Sequence, residues 1–391
     1  MAGILACGLS RAGPLSTEPS IGLSSEYASN QYLLARGGRA VLDEAILFNA
    51  PTHYDVDSMD FTLAPSVRYS NSGSYASLAS NYFHLNGSAA FASELNSLSF
   101  TNAFGRDSSL QQNGLSSNGI GVRSDGTSAG LDWQRTMTER AVVEFDAGWT
   151  RVLYNQGATA TGLVDYRYIN AGAAASYAIS ERDRLQISVS AGRYSALDGI
   201  TASENYYLQL GFDRQLTEIW KLSTTAGYAK SDNSMKLYYG PFFIGNVEYG
   251  PYYIGTAKSQ QQGPIYSASM VRRGEQLDVT LSASRNFRPS GFEFLSREDI
   301  AAVDLSYTRS ERWKFGARVN YQDTATPLSS GAIYAVHYLS GQMSANWNWT
   351  PTWTISLHAN WVNVKYDLPP VGAQSTGVSL QIVRQFLRIQ L

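Results

Sequence analysis

The chain of 391 residues holds a single cysteine, Cys7, so neither a disulfide framework nor a thiolate zinc site can be built from it. The four histidines, His53, His84, His337 and His358, are scattered and suggest no metal site. Charged residues are only 16% of the chain, against about 25% in an average soluble domain. With a formal net charge of −2 and no basic patch interleaved with aromatics, nucleic acid is not an expected partner. No run of about 18 apolar residues occurs, which excludes a transmembrane helix. No linker rich in Pro or charge divides the chain. Catalytic signatures are missing too: there is no Gly-x-Ser-x-Gly elbow, no Gly-rich phosphate loop followed by Lys, and no His-Glu-x-x-His helix. His84 and Ser88, in His84-Leu85-Asn86-Gly87-Ser88, are the nearest approach to a His-activated serine. Histidine among abundant serines is the simpler reading, so no enzyme, catalytic residue, metal or cofactor is expected.

What the chain does contain is a short polar turn that keeps returning. Its copies are Ser93-Glu94-Leu95, Thr138-Glu139-Arg140, Ser180-Glu181-Arg182, Thr217-Glu218-Ile219 and Ser310-Glu311-Arg312, with Arg273-Gly274-Glu275 and Thr350-Pro351-Thr352 in the remaining places. Neighbouring copies lie roughly forty residues apart, enough for two strands of about ten residues, one tight turn and one longer loop.

The segments between turns alternate with period two. Val143, Phe145, Ala147 and Trp149 oppose Glu144, Asp146, Gly148 and Thr150; Leu277, Val279, Leu281 and Ala283 oppose Asp278, Thr280, Ser282 and Ser284. The same holds for Phe315 to Gln322 and Trp353 to Trp361, with similar patterns at Phe61–Tyr69, Val164–Tyr168, Tyr206–Phe212, Leu222–Tyr228 and Val303–Tyr307. Trp220, Trp313, Trp349 and Trp353 all fall near the short turns, as in an interfacial girdle. The opposing set of Ser, Thr, Asn, Gln, Gly and isolated charges does not suit a dry core.

These features predict an all-β fold: a transmembrane up-and-down antiparallel β-barrel of about 16 strands, with 14 or 18 also compatible. Short turns would face the periplasm and long loops the exterior. Loops are expected at about residues 35–56, 107–130, 155–162, 196–204, 231–263, 286–297, 323–332 and 367–375, and the stretch 74–130 is the hardest to divide. Residues 1–16, around Cys7, read as a signal-like or unstructured segment, and 17–391 as a single barrel domain. Ser379–Leu391 reads as the closing strand, though it ends in Leu rather than an aromatic residue.

Alternation places Glu144, Asp146, Asp165, Arg167, Asp213, Asp304, Arg318 and His358 toward the lumen, where charges either tune ion preference or pair to brace the wall. In 231–263, Tyr239-Gly240-Pro241-Phe242-Phe243-Ile244-Gly245 returns as Tyr249-Gly250-Pro251-Tyr252-Tyr253-Ile254-Gly255. Tyr239, Phe242, Phe243, Tyr249, Tyr252 and Tyr253 then need a partner or each other.

With its Pro19-Ser20-Ile21-Gly22-Leu23-Ser24-Ser25-Glu26-Tyr27 opening strand, its Ser/Thr-Glu-Arg turns and its meander over residues 19–391, the chain resembles a porin-like family of outer-membrane β-barrel proteins of Gram-negative bacteria, often associated with exopolysaccharide or exosortase systems. The resemblance implies a role in moving or presenting polysaccharide and carries no catalytic residues. The expected function is an outer-membrane conduit for polysaccharide or other polar solutes, in contact with outer-membrane lipid and lipopolysaccharide. The alternative is a non-conducting barrel that docks an envelope protein.

Overall fold

Each short turn must reverse the chain within a few residues and still pair the flanking N–H groups, and in the Ser and Thr turns the hydroxyl does this. The computed structural model describes residues 15–30, 33, 38, 40–56, 58–71, 81–108, 123–154, 163–239, 242–244, 247–289, 295–327, 333–367 and 370–390. Thr138 Oγ1 accepts from the Ala141 N–H at 3.0 Å, Ser180 Oγ from Asp183 at 3.0 Å, and Thr217 Oγ1 from Trp220 at 3.1 Å. Ser93 and Thr350 repeat the contact three residues on. Ser310 instead accepts from Arg312, two residues on. The recurring Ser or Thr is therefore the turn-forming residue, through the side-chain mimicry that favours hydroxyls in turns. Glu139, Arg140, Glu181 and Arg182 stay exposed.

Between the turns run β1 (Ser20–Ala28), β2 (Val41–Asn49), β3 (Met59–Asn71), β4 (Tyr82–Ala92), β5 (Asn96–Ser108), β6 (Arg123–Thr136), β7 (Ala141–Tyr154), β8 (Tyr166–Ala178) and β9 (Asp183–Ala196). They continue as β10 (Thr201–Gln215), β11 (Trp220–Tyr239), β12 (Tyr252–Arg273), β13 (Leu277–Pro289), β14 (Leu295–Thr308), β15 (Trp313–Pro327), β16 (Ile333–Thr350), β17 (Trp353–Asp367) and β18 (Pro370–Gln385). Every ladder is antiparallel between chain neighbours, and β1 bonds β18 from Ser20–Gln385 to Ala28–Gly377, closing the barrel. Ser16–Thr17, Thr52–Val56 and Ile389–Gln390 prolong β1, β2 and β18 at the short-turn end. The first two breaks fall at Pro19 and Pro51, which have no N–H to give a ladder. Residues 1–14, including Cys7, lie outside the described residues; the strand pairing already begins at Ser16.

The barrel thus has 18 strands, where about 16 were expected. The undercount has a local cause: 35–56 was assigned to loop, yet Val41–Asn49 is a strand that alternates Leu42, Ile46 and Phe48 against Val41, Asp43, Ala45 and Leu47. Much of 107–130 and 231–263 is also strand rather than loop, in β6, β11 and β12.

The apolar face points outward. Phe145 is 48% exposed, Leu210 63%, Val319 53% and Met343 69%. Their ladder partners continue the same rows, such as Trp133–Phe145–Ala173–Val189. A soluble sheet would not leave so many large side chains in water. Against acyl chains they are at home, and closure satisfies the backbone hydrogen bonds that lipid cannot. Near the short-turn end, Trp313 stacks on Trp347 at 5.7 Å, and Arg384 lies over Trp353 at 5.6 Å. These rings share the outward phase of Val319 and Leu357, as an interfacial girdle requires.

Candidate functional site

Inward-facing rows are polar through the body of the barrel. One runs Gln134–Glu144–Ala174–Ser188–Gln209–Gly227, and the next runs Asp132–Asp146–Gly172–Ser190–Tyr207–Ala229. These rows line a cavity of about 650 Å³ against the β5–β10 wall. Among the described residues, Asp132, Glu144 and Asp146 are its charged lining, and no Lys, Arg or His lines it. Asp132 and Asp146 stand directly opposite each other in the ladder, and Asp132 Oδ2 accepts from Ser99 Oγ at 3.4 Å. Like charges in that relation repel, so this part of the wall holds an uncompensated negative field.

The cavity has a roof. The β12–β13 ladder stops at Tyr266–Arg285, while β13 stays paired with β14 as far as Pro289–Leu295. The freed end of that hairpin turns into the barrel. Tyr207 Oη, three strands away on β10, donates to the Phe287 carbonyl at 3.4 Å. Phe287 and Leu295 pack on Ala229 and Ile265 of the inner wall, and Asn286 and Phe287 line the cavity. A second inward apolar cluster joins Val336, Val364 and Tyr366 to Leu33, so the first long connection also reaches the mouth. The inner surface therefore changes from open to closely packed toward the long-loop end, where these apolar clusters adjoin buried polar side chains such as Asn205, Asn233 and Gln322. Alternation predicted the first condition and not the second, because period two says nothing of which strand ends leave the wall.

Among the residues assigned to the lumen by sequence, Glu144 and Asp146 border the cavity. Asp304 and Arg318 are ladder partners, 3.3 Å apart on the inner face. Asp213 is inward near the short turns, 3.8 Å from Lys221, and His358 is inward opposite Ser344. Two assignments are corrected. Arg167 faces out, in the phase of Ile169, which is 46% exposed. Asp165 precedes β8 and its Oδ1 accepts from the Tyr154 N–H at 2.7 Å, so it holds a strand end. The phase of Val164–Tyr168 misled because both faces of β8 carry apolar groups; Tyr166 and Tyr168 line the inside, and Ile169 with three alanines meets lipid. Sequence reasoning also missed Asp132, although Leu131-Asp132-Trp133-Gln134 alternates plainly. It missed Arg68, 2.8 Å from Asp43 and 3.7 Å from Glu26 on the inner face. His84 and Ser88 share one strand four residues apart, a spacing of about 13 Å that forbids a hydrogen bond.

The repeated aromatic segments pair with one another: Tyr239 faces Tyr252, Tyr238 faces Tyr253, and Phe242 faces Tyr249. Tyr239, Tyr252 and Tyr253 are exposed, and Tyr238 meets Tyr253 edge-on at 5.9 Å. The Phe242, Phe243 and Tyr249 side chains lie outside the described set. Lower on the same hairpin, the hydrogen bond from Lys230 Nζ, at 2.8 Å, holds the Asp232 carboxyl below the usual carboxylate range, helped by Gln260.

The sequence matches no family profile and no curated protein. Solved structures with similar folds exist at low identity. A copper transporter, OprC, is 11% identical with a TM-score of 0.50 over 92% of this chain and 65% of its own, so the chain spans about two thirds of that protein. The closed form of the ferric-catecholate import receptor Fiu from E. coli K12 is 8% identical with a TM-score of 0.50, covering 94% of this chain and 81% of the receptor. The outer membrane protein opdK from Pseudomonas aeruginosa is 10% identical with a TM-score of 0.48, over 95% and 99%. The first two likenesses concern fold alone. Together with the closed ladder, the outward apolar face and the tryptophans near the short turns, they make this chain a β-barrel of the bacterial outer membrane.

Proposed function

We propose that the barrel is a passive conduit for polar solutes, with a preference for cations along the β6–β7 wall. The observation that carries this reading is the cavity lined by Asp132, Glu144 and Asp146, with no basic residue among the described lining, inside an inner face of Ser, Asn, Gln and Tyr. Acidic side chains facing a passage favour cations, while neutral hydroxyls and amides exchange hydrogen bonds with a passing solute without holding it. Hydroxyl-rich cargo such as polysaccharide is the finer proposal; its support is that polar lining and the sequence resemblance. The in-turned end of β13–β14 acts as the constriction.

Planar-bilayer recording tests the conduit. Wild-type protein should give discrete conductance steps, which grow when Phe287 and Leu295 are both replaced by glycine. A folded barrel, shown by its heat-dependent shift on a gel, that passes no current in either form contradicts the proposal. The apolar inner clusters favour a second reading, a scaffold whose interior is packed and whose exposed Tyr239 and Tyr252 dock an envelope protein. That reading expects no current, and a stable envelope complex that is lost on Tyr239→Ser with Tyr252→Ser.

A further inference from the structure

We propose that the outer surface of β7–β9 binds the phosphate of an anionic glycolipid in the surrounding outer leaflet, through Arg151, Arg167 and Arg193. Arg151 and Arg167 are direct ladder partners on the outward face. Arg193 stands on that face one outward position lower, opposite Ile169. Strand tilt brings residues offset in this way to a common depth. All three are exposed, and immediately below them lie the apolar side chains Trp149 and Ile169. The trio therefore sits where the apolar band ends, at the level of lipid headgroups on the long-loop side.

Two independent features point to a lipid. The first is charge. Cations directly opposite in a ladder repel unless an anion lies between them. Elsewhere on this rim the chain supplies the anion itself: Arg106 meets Asp125 at 2.6 Å, Lys230 meets Asp232 at 2.8 Å and Arg285 meets Asp299 at 2.5 Å. None of the trio has an ion pair among the described residues. Glu204 stands opposite Arg193, but its Oε2 accepts from Tyr206 Oη at 3.4 Å. On the other flank, Arg151 faces Thr127, which carries no charge. Planar guanidinium groups suit phosphate, which accepts paired hydrogen bonds from them.

The second feature is shape. Beneath the arginines the outward residues of β8 are Ala171, Ala173 and Ala175, while β7 presents Phe145 and β9 presents Ile187 and Val189. At Ala173 and Ala175 these small side chains lie between larger ones and lower the surface of β8, while at Ala171 the neighbours Ala147 and Ala191 are small as well, which leaves an apolar footing for an acyl chain. Phosphate above and acyl chain below are the two ends of one molecule.

The test uses the full barrel refolded in a neutral detergent, with a bisphosphorylated diglucosamine lipid as probe. Native mass spectrometry reads the retained lipid, and the heat-dependent gel shift reads stability. Wild-type protein should retain the probe and unfold at higher temperature with it. Arg151→Gln with Arg167→Gln should weaken retention by about thirtyfold, since each basic residue near an anionic surface contributes a factor of several. Lys230→Gln, at a paired position on the same rim, should retain the probe as wild type does. The dephosphorylated lipid should be retained weakly by all forms. Equal retention by wild type and the double variant, equal retention of the dephosphorylated lipid, or a thermal shift reproduced by inorganic phosphate alone would each overturn the proposal. If the double variant fails to refold, Arg193→Gln alone carries the same comparison.

Discussion

Two stretches of one inner wall carry carboxylates and treat them in opposite ways. On β1–β3, Asp43 is 1% exposed and held by Arg68 at 2.8 Å, with Glu26 3.7 Å from the same guanidinium nitrogen. On β6–β7, Asp132 and Asp146 face each other with Glu144 beside them and no basic residue among the described residues that line the cavity. The first arrangement cross-braces neighbouring strands and leaves little field in the lumen. The second gives up some cohesion and leaves a field that mobile cations can answer. Lumen charge in this barrel is thus structural on one side and electrostatic on the other.

Substitution should separate the two sides. Arg68→Ala leaves Asp43 buried without its guanidinium and should cost about 3 kcal/mol. The loss is read as a lower urea midpoint in micelles, and most of it should return when Asp43→Asn is added. Arg318→Gln breaks a pair whose members are 57% and 39% exposed, and should cost less than about 1 kcal/mol. A cost equal to that of Arg68→Ala would erase the distinction between a buried brace and a hydrated pair. Asp132→Asn should act with the opposite sign, raising stability by about 0.5 kcal/mol, read as a higher midpoint, through loss of a like-charge contact. Added KCl should then raise the wild-type midpoint more than the variant's, because salt screens the repulsion only where it exists.

Much of this fold was legible in the sequence because its two governing signals are local. The hydroxyl turns announced themselves, and Val143 to Thr150 or Leu277 to Ser284 needed only period two to be assigned faces. What escaped detection depends on neighbours several strands away. Val41–Asn49 looked like loop because it is short and bears Asp43 and Glu44; Arg68, on β3, helps to make an inward Asp43 tolerable. Arg167 was given the wrong face because tyrosine and alanine compete for the lipid side of β8, and the ladder with Trp149 and Ile169 decides it. The in-turned β13–β14 end has no local mark. It rests on Tyr207 reaching the Phe287 carbonyl across 80 residues of sequence.

The reversal potential across a planar bilayer under a tenfold KCl gradient most directly tests whether the β6–β7 wall supplies the field of a water-filled passage. Wild-type protein should reverse on the cation-selective side of zero, and Asp132→Asn with Asp146→Asn should move it toward zero with conductance retained. An unchanged reversal potential in the double variant, or no current even after Phe287 and Leu295 become glycine, would contradict it.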